Sequence, residues 1–96
     1  MRVVVSAEAY ADLQNIFLFV SEKDPLAAER VMSEINRRFY FLAGFPQLGR
    51  AWPDADSATR RLVAGSHLIF YREETTRLLI LPVLDGRMDV EAELLK

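Results

Sequence analysis

Four arginines are the residues whose type and spacing could support chemistry: Arg60, Arg61, Arg72 and Arg87. The first two begin one predicted strand, Arg72 ends the next, and Arg87 follows the last. Side chains alternate between the two faces of a strand, so either Arg60 or Arg61 must point away from helices that cover the sheet. Together with Arg87, that guanidinium could hold a phosphate group bidentately. The alternative is that these arginines solvate the sheet's open face or pair with acidic side chains.

Other catalytic and metal-binding arrangements are poorly supported. His67 is the only histidine and there is no cysteine, which excludes thiolate and His-rich metal sites. The spacing of His67 from serines and aspartates matches no nucleophile motif. Because it follows a turn, His67 is predicted to face outwards or to lie half-buried. Asp54 and Asp56 are interpreted as a solvated loop rather than a cation site. The sequence therefore predicts no cofactor and no metal.

Composition limits the classes of protein that fit. The 96 residues include 12 Lys+Arg and 14 Asp+Glu, for a net charge of −2, with 51% hydrophobic residues. This favours one folded domain, residues 1–96, over a disordered chain. No apolar run is long enough to span a membrane, and the N-terminal one is too short for a secretory signal, so we expect a soluble cytoplasmic protein. The slightly acidic total argues against direct DNA binding by this chain alone.

Two helices are predicted after a short strand at residues 2–5. Ser6 is a good N-cap, and apolar residues recur at helical spacing from Ala9 through Leu13, Ile16 and Phe17 to Val20. A second helix begins with Asp24 as N-cap and Pro25 at the first helical position. It ends at Gly44, which Pro46 follows. Since the link between the helices is short, they should form an antiparallel hairpin.

Three strands are predicted after a loop at residues 44–58. They are Thr59–Ala64, His67–Arg72 and Leu78–Leu84, with turns at Gly65-Ser66 and Glu73–Thr76. The last strand is nearly all aliphatic and suits the centre of a sheet, where it is the expected partner of the first strand. Pro82 predicts a bulge or one unpaired side. The fold class is α+β, in the order β-α-α-β-β-β, with the helix hairpin on one face of a small, mostly antiparallel sheet.

The element order and several motifs resemble the ParE/RelE superfamily of toxins from type II toxin–antitoxin systems. The resemblance covers almost the whole chain, and the order of the motifs carries it, since none is specific alone. The motifs are Ala11-Asp12-Leu13-x-x-Ile16, Pro25-x-Ala27-Ala28, Phe45-Pro46-x-Leu48-Gly49-Arg50, Arg60-Arg61-Leu62-Val63, Leu68-Ile69-Phe70-Tyr71-Arg72 and Val83-Leu84-Asp85-Gly86-Arg87-Met88-Asp89. The long helix hairpin and the Pro-x-x-Gly loop are more similar to the ParE branch.

The resemblance to ParE implies a non-enzymatic inhibitor of DNA gyrase that is neutralised by a cognate antitoxin. A RelE-like messenger RNA endoribonuclease is the alternative, with Arg61 and Arg87 as its catalytic residues. That alternative lacks a lysine in the loop 44–58 and a tyrosine or histidine after Arg87. A third possibility is a chain that binds antitoxin but has lost toxicity. It is motivated by Asp85 and Met88, which replace a histidine and an arginine common in the family's last motif.

Two sets of contact residues follow from this resemblance. For the target we predict Arg87, Met88, Asp89, Arg61 and Arg50. For an antitoxin that folds on binding we predict the surplus apolar residues Leu18, Phe19, Tyr40, Phe41 and Trp52. The apolar set could equally complete the core or a homodimer contact, and Trp52 could equally be a lid over a small core.

Overall fold

The computed structural model describes residues 1–52 and 58–85. The elements are β1 (Arg2–Val5), α1 (Ala7–Lys23), α2 (Pro25–Gly44), β2 (Arg50–Ala51), β3 (Thr59–Ala64), β4 (His67–Glu73) and β5 (Arg77–Asp85). They form two helices packed on a mixed five-stranded sheet, which confirms the predicted α+β class. No helix of these residues is long and apolar enough to cross a membrane.

The sheet has the strand order β1-β5-β4-β3-β2. β1 pairs with β5 in parallel, with Val3 opposite Leu78, and every other neighbouring pair is antiparallel. The aliphatic β5 is therefore flanked on both sides along residues 77–80, as predicted. Gly65 has a φ of 62°, so the tight turn between β3 and β4 uses the left-handed backbone that glycine adopts without strain.

The helix hairpin is set by its caps. The Ser6 hydroxyl accepts the Ala9 N–H at 3.1 Å and begins α1. Asp24 lies between the helices: its N–H donates to the Val20 carbonyl, and its carboxylate accepts N–H groups from the first turn of α2. One residue separates the two helices, and they pack against each other as the predicted hairpin.

The core lies between the sheet and the two helices, and α2 contributes most of its fully buried helical residues. The buried residues of α2 are Ala28, Ile35, Phe39 and Leu42, whereas α1 buries only Ala9 completely. Facing them are Ala64, Ile69, Tyr71, Leu78, Ile80 and Val83. The first helix thus covers the core with one edge and leaves much of its surface in solvent.

A bulge in β5 confirms the prediction made for Pro82. Ile69 pairs with Val83 while Tyr71 pairs with Ile80, so two residues of β5 lie opposite one residue of β4. Proline has no N–H to give to the ladder. The next N–H, that of Val83, donates to the Asp12 carboxylate on α1 at 3.0 Å.

Some sequence-based expectations were wrong. Residues 44–58 are not all loop, because Arg50–Ala51 forms β2. His67 is 7% exposed rather than outward-facing or half-buried, since it lies opposite Asp85 and lines a groove under α1. The last two strands extend beyond their predicted ends, to Glu73 and to Asp85. Predictions for the tail after Asp85 and for Asp54 and Asp56 lie outside the described residues.

Candidate functional site

A buried hydroxyl ties the loop before β2 to the sheet. Tyr71 is fully buried, and its hydroxyl donates to the Pro46 carbonyl at 2.8 Å and accepts the Gly49 N–H at 2.7 Å. Arg60 donates to the Gly49 carbonyl at 2.8 Å. Burial raises the pKa of the Tyr71 phenol, although the Gly49 N–H and the Arg60 charge lower it. This cluster determines where β2 begins and therefore where Arg50 lies.

Arg60 and Arg61 lie on opposite faces of β3, as the strand alternation predicted. Leu62 and Ala64, which share a face with Arg60, pack against the core under the helices. Arg61 points to the other side, which neither α1 nor α2 covers and which we call the helix-free face. There it lies directly opposite Arg50 of β2. The two described arginines of the predicted target set are thus neighbours on one surface.

Trp52 lies on the helix-free face beside Arg61. Its ring meets that of Phe70 edge-on, with centroids 5.6 Å apart, and Phe70 is fully buried. The Arg61 guanidinium lies over the indole ring at 4.9 Å, within the range of a cation–π contact. The half-buried Trp52 is therefore part of a cover over Phe70 and, at the same time, part of the surface around Arg61.

The apolar residues predicted to bind antitoxin are exposed on the helices but do not form one patch. Leu18 is 59% exposed and Tyr40 is 78% exposed. Tyr40 and Phe41 meet edge-on near the end of α2, whereas Leu18 and Phe19 lie near the end of α1. Because the hairpin is antiparallel, these two pairs lie towards opposite ends of it. Trp52, on the other side of the sheet, belongs to neither.

An apolar groove along the hairpin includes residues that the sequence analysis missed. It measures about 470 Å³ and is lined by Tyr10, Leu13, Gln14, Asn15, Phe17, Leu18 and Met32. Phe17 was placed on the core face but is 40% exposed, because Ile16 and Leu13 already fill the space against the sheet. Tyr10, Phe17 and Leu18 recur at helical spacing (i, i+7, i+8), so a second set of apolar residues on one side of α1 was present in the sequence.

The remaining predicted target residues, Arg87, Met88 and Asp89, lie outside the described residues. Asp85, at the end of β5, is half-buried opposite His67. Within residues 1–52 and 58–85 there is no group of three His, Asp or Glu side chains that could hold a metal ion. The absence of a cofactor stays a prediction.

Comparison with known proteins gives a consistent result. The sequence profile of the family described as "ParE toxin of type II toxin-antitoxin system, parDE" matches residues 3–90. Toxin ParE3 of Caulobacter vibrioides is 31% identical over 94 residues, covering 97% of this chain and 94% of the relative. Toxin ParE1 of Mycobacterium tuberculosis is 32% identical over 95 residues, covering 97% of each chain.

A solved structure shares the fold. A chain of the "Chromosomal ParDE TA system from P. aeruginosa" superimposes with a TM-score of 0.74 over 88% of this chain and 95% of that one. The sequence identity is 20%, so this likeness concerns the arrangement of helices and strands. The sequence matches carry the family relationship, and the structure supports the same architecture.

Proposed function

Since the chain belongs to the ParE toxin family of type II toxin–antitoxin systems, we propose that it inhibits DNA gyrase until a cognate antitoxin neutralises it. The observation that carries the proposal is the family match over residues 3–90, which takes in both helices, β2 to β5 and all of β1 except Arg2. The match also favours a ParE-type toxin over a RelE-like nuclease. Gyrase acts on the chromosome, so the proposal places the chain in the cytoplasm.

The groove along the helix hairpin supports antitoxin binding. The groove is lined by the exposed apolar side chains of Tyr10, Phe17 and Leu18. All three belong to α1, of which only Ala9 is fully buried. Residues at this spacing fit an amphipathic partner helix, whose apolar side chains would enter the groove. A partner that covers this exposed apolar surface removes it from water, which stabilises the complex. We propose this groove as the first antitoxin contact, with Phe19, Tyr40 and Phe41 extending the interface.

The antitoxin contact is tested by replacing Leu18 with glutamate. We expect Leu18→Glu to weaken antitoxin binding by about 30-fold or more, as truncation of a hot-spot residue does, because a carboxylate would be buried in an apolar contact. The measurement is calorimetric titration of the chain with a candidate antitoxin, sought as a small open reading frame beside the gene. Because the Leu18 side chain is exposed, the variant should fold normally, and thermal unfolding checks this.

The matched control for that test is Leu26→Glu. Leu26 is 66% exposed, lies in the first turn of α2 and does not line the groove. A carboxylate is favourable near a helix N-terminus, so this variant should fold normally and keep its affinity. Equal losses for the two variants would contradict the groove as the antitoxin contact.

For the target contact we propose Arg50 and Arg61 on the helix-free face, with Arg87, Met88 and Asp89 of the tail. Pulse-labelling of DNA and protein synthesis, minutes after the chain is induced alone, tests the target. We expect DNA synthesis to fall first, with supercoiling by purified gyrase inhibited in vitro. We expect Arg87→Ala to weaken that inhibition, whereas Arg30→Ala, a matched change on the exposed face of α2, should not.

The other outcomes of the pulse-label identify the alternatives. If protein synthesis falls first, the chain is a RelE-like nuclease, and Arg61→Ala and Arg87→Ala should each abolish cleavage. If neither falls while folded protein accumulates, toxicity is lost and antitoxin binding remains. In that case Asp85→His and Met88→Arg, which introduce the residues common in the family's last motif, would test whether these two positions account for the loss.

A further inference from the structure

Every strand of the sheet carries an arginine at a position that points to the helix-free face. On each of four strands, named residues face the core: Val3 on β1, Leu78 on β5, Tyr71 on β4 and Leu62 on β3. Side chains alternate along a strand, so the residues directly before and after these face the other way. The arginines placed in this manner are Arg2 on β1, Arg77 on β5, Arg72 on β4, Arg61 on β3 and Arg50 on β2. We call these side chains the arginine row.

The arginine row contains two pairs of like charges in direct opposition. Arg2 lies opposite Arg77, and Arg50 lies opposite Arg61. Like charges placed directly across a sheet destabilise it. The net charge of the chain is −2, so an excess of basic residues does not explain the arrangement. The fold alone gives no reason to keep two such pairs on one face.

The acidic side chains of the described residues compensate only part of the row. Glu74 pairs with both Arg72 and Arg77, and the hydrogen bond from Arg77 is the main reason that the pKa of its carboxyl is lowered. Within residues 1–52 and 58–85, neither Arg50 nor Arg61 has an ion pair. By contrast, Arg37 and Arg38 of α2 share Glu34.

The dimensions of the row fit an extended polyanion. Arg72 lies opposite Leu79 and Arg61 lies opposite Phe70, so the row crosses the sheet obliquely. With neighbouring strands about 4.8 Å apart and residues about 3.3 Å apart along each strand, the row spans roughly 23 Å. Guanidinium groups bind phosphate oxygens in a fork. Trp52 adds a half-exposed aromatic ring beside Arg61, and aromatic rings next to basic side chains are stacking platforms for bases.

We propose that the arginine row binds the phosphodiester backbone of a single nucleic-acid strand, with Trp52 stacking on a base. An acidic peptide lying across this face fits less well, because the backbone groups of the inner strands β5, β4 and β3 are used in the ladder and give a peptide main chain no partner. The net charge predicted no direct DNA binding by this chain. The strand register is the reason to test for direct binding, because it brings arginines that are far apart in the sequence together on one face.

The test measures binding of the purified full chain to fluorescein-labelled oligonucleotides by anisotropy, between 50 and 200 mM salt. A 20-nucleotide DNA strand, an RNA strand of equal length and duplex DNA are the probes. We expect micromolar binding to a single strand, tighter than to the duplex, with log K falling with log[salt] by about 0.7 for each phosphate contacted. The DNA and RNA arms distinguish the two sources of the same backbone chemistry.

Variants assign the binding to the arginine row. The double variant Arg50→Gln/Arg61→Gln should reduce the salt slope by about 1.4, since two phosphate contacts are lost. The matched control, Arg30→Gln/Arg37→Gln, removes the same charge from the exposed face of α2 and should leave the slope unchanged. Glu74→Gln should tighten binding, because it removes the negative charge that pairs with both Arg72 and Arg77. Thermal unfolding confirms that each variant is folded.

Three results would overturn the proposal. They are no binding of any oligonucleotide at 50 mM salt, equal losses in the two double variants, and binding of polyglutamate in preference to the oligonucleotides. This inference shares Arg50 and Arg61 with the proposed target contact but is tested without gyrase. Failure of oligonucleotide binding with intact gyrase inhibition, or the reverse, would therefore separate the two proposals.

Discussion

Replacing Gly49 with alanine is expected to lower the free energy of unfolding by about 3 kcal/mol. A Cβ at this position would lie 2.6 Å from the Tyr71 hydroxyl oxygen and 2.7 Å from the Arg61 carbonyl oxygen. Both neighbours are fixed, one in the buried core and one in the backbone of β3. The loop must therefore move away, which breaks the hydrogen bond between Gly49 and Tyr71. Urea denaturation followed by circular dichroism measures the effect.

Gly44 offers the matched control for this experiment. It is the last residue of α2, and no atom lies within 4 Å of the position that a Cβ would occupy. We expect Gly44→Ala to leave stability unchanged or to raise it by up to about 1 kcal/mol, because alanine loses less backbone entropy in a helix. If Gly49→Ala were as stable as Gly44→Ala, the close packing of Gly49 against Tyr71 would be contradicted.

Much of the fold could be predicted because local signals specify it. Ser6 and Asp24 act as N-caps where the sequence placed them, and Pro25 begins α2. Gly65 forms the turn between β3 and β4. Each of these features depends on a few neighbouring residues, so a short window of sequence contains the required information. The pairing of β1 with β5 followed from composition, because the nearly continuous aliphatic sequence of β5 is typical of a central strand, which has a neighbouring strand on each edge.

The rest of the fold depends on contacts between distant residues. β2 has two residues and no periodicity, and it exists because Tyr71 holds the loop 22 positions earlier in the chain. His67 is buried because Asp85 and the groove under α1 lie beside it. No local pattern reports either contact. Sequence reasoning therefore failed where a single residue's surroundings come from several elements.

The candidate binding surfaces also include features that local sequence predicts and features that depend on distant contacts. Helical spacing places Leu18 and Phe19 partly off the core-facing side of α1 but leaves open whether they complete the core, and the structure shows that both are exposed. Whether Leu18 and Phe19 form one patch with Tyr40 and Phe41 depends on how the two helices are arranged, and composition does not specify this arrangement. The arginine row is the extreme case, because its members come from all five strands and only the register brings them to one face.

Replacing Tyr71 with phenylalanine is expected to lower the free energy of unfolding by about 2 kcal/mol, although the ring still fills the core. The lost hydroxyl leaves the Gly49 N–H and the Pro46 carbonyl without their partner. Tyr40→Phe is the matched control, since Tyr40 is 78% exposed and its change should have an effect below about 0.5 kcal/mol. Urea denaturation of the two variants measures the difference, and equal stabilities would contradict the role of the buried hydroxyl.

The pH dependence provides a second measurement on Tyr71→Phe. Burial raises the pKa of Tyr71 in the folded chain above its ordinary value, so its contribution to stability is complete below about pH 10 and is lost as the pH rises beyond it. The variant should therefore lose stability less steeply above pH 10 than the original chain.

Gly49→Ala disturbs the same contact, so combining it with Tyr71→Phe should lower the free energy of unfolding by less than the sum of the two single changes. Additive effects would mean that the two residues act separately, and β2 would then depend on something other than their hydrogen bond.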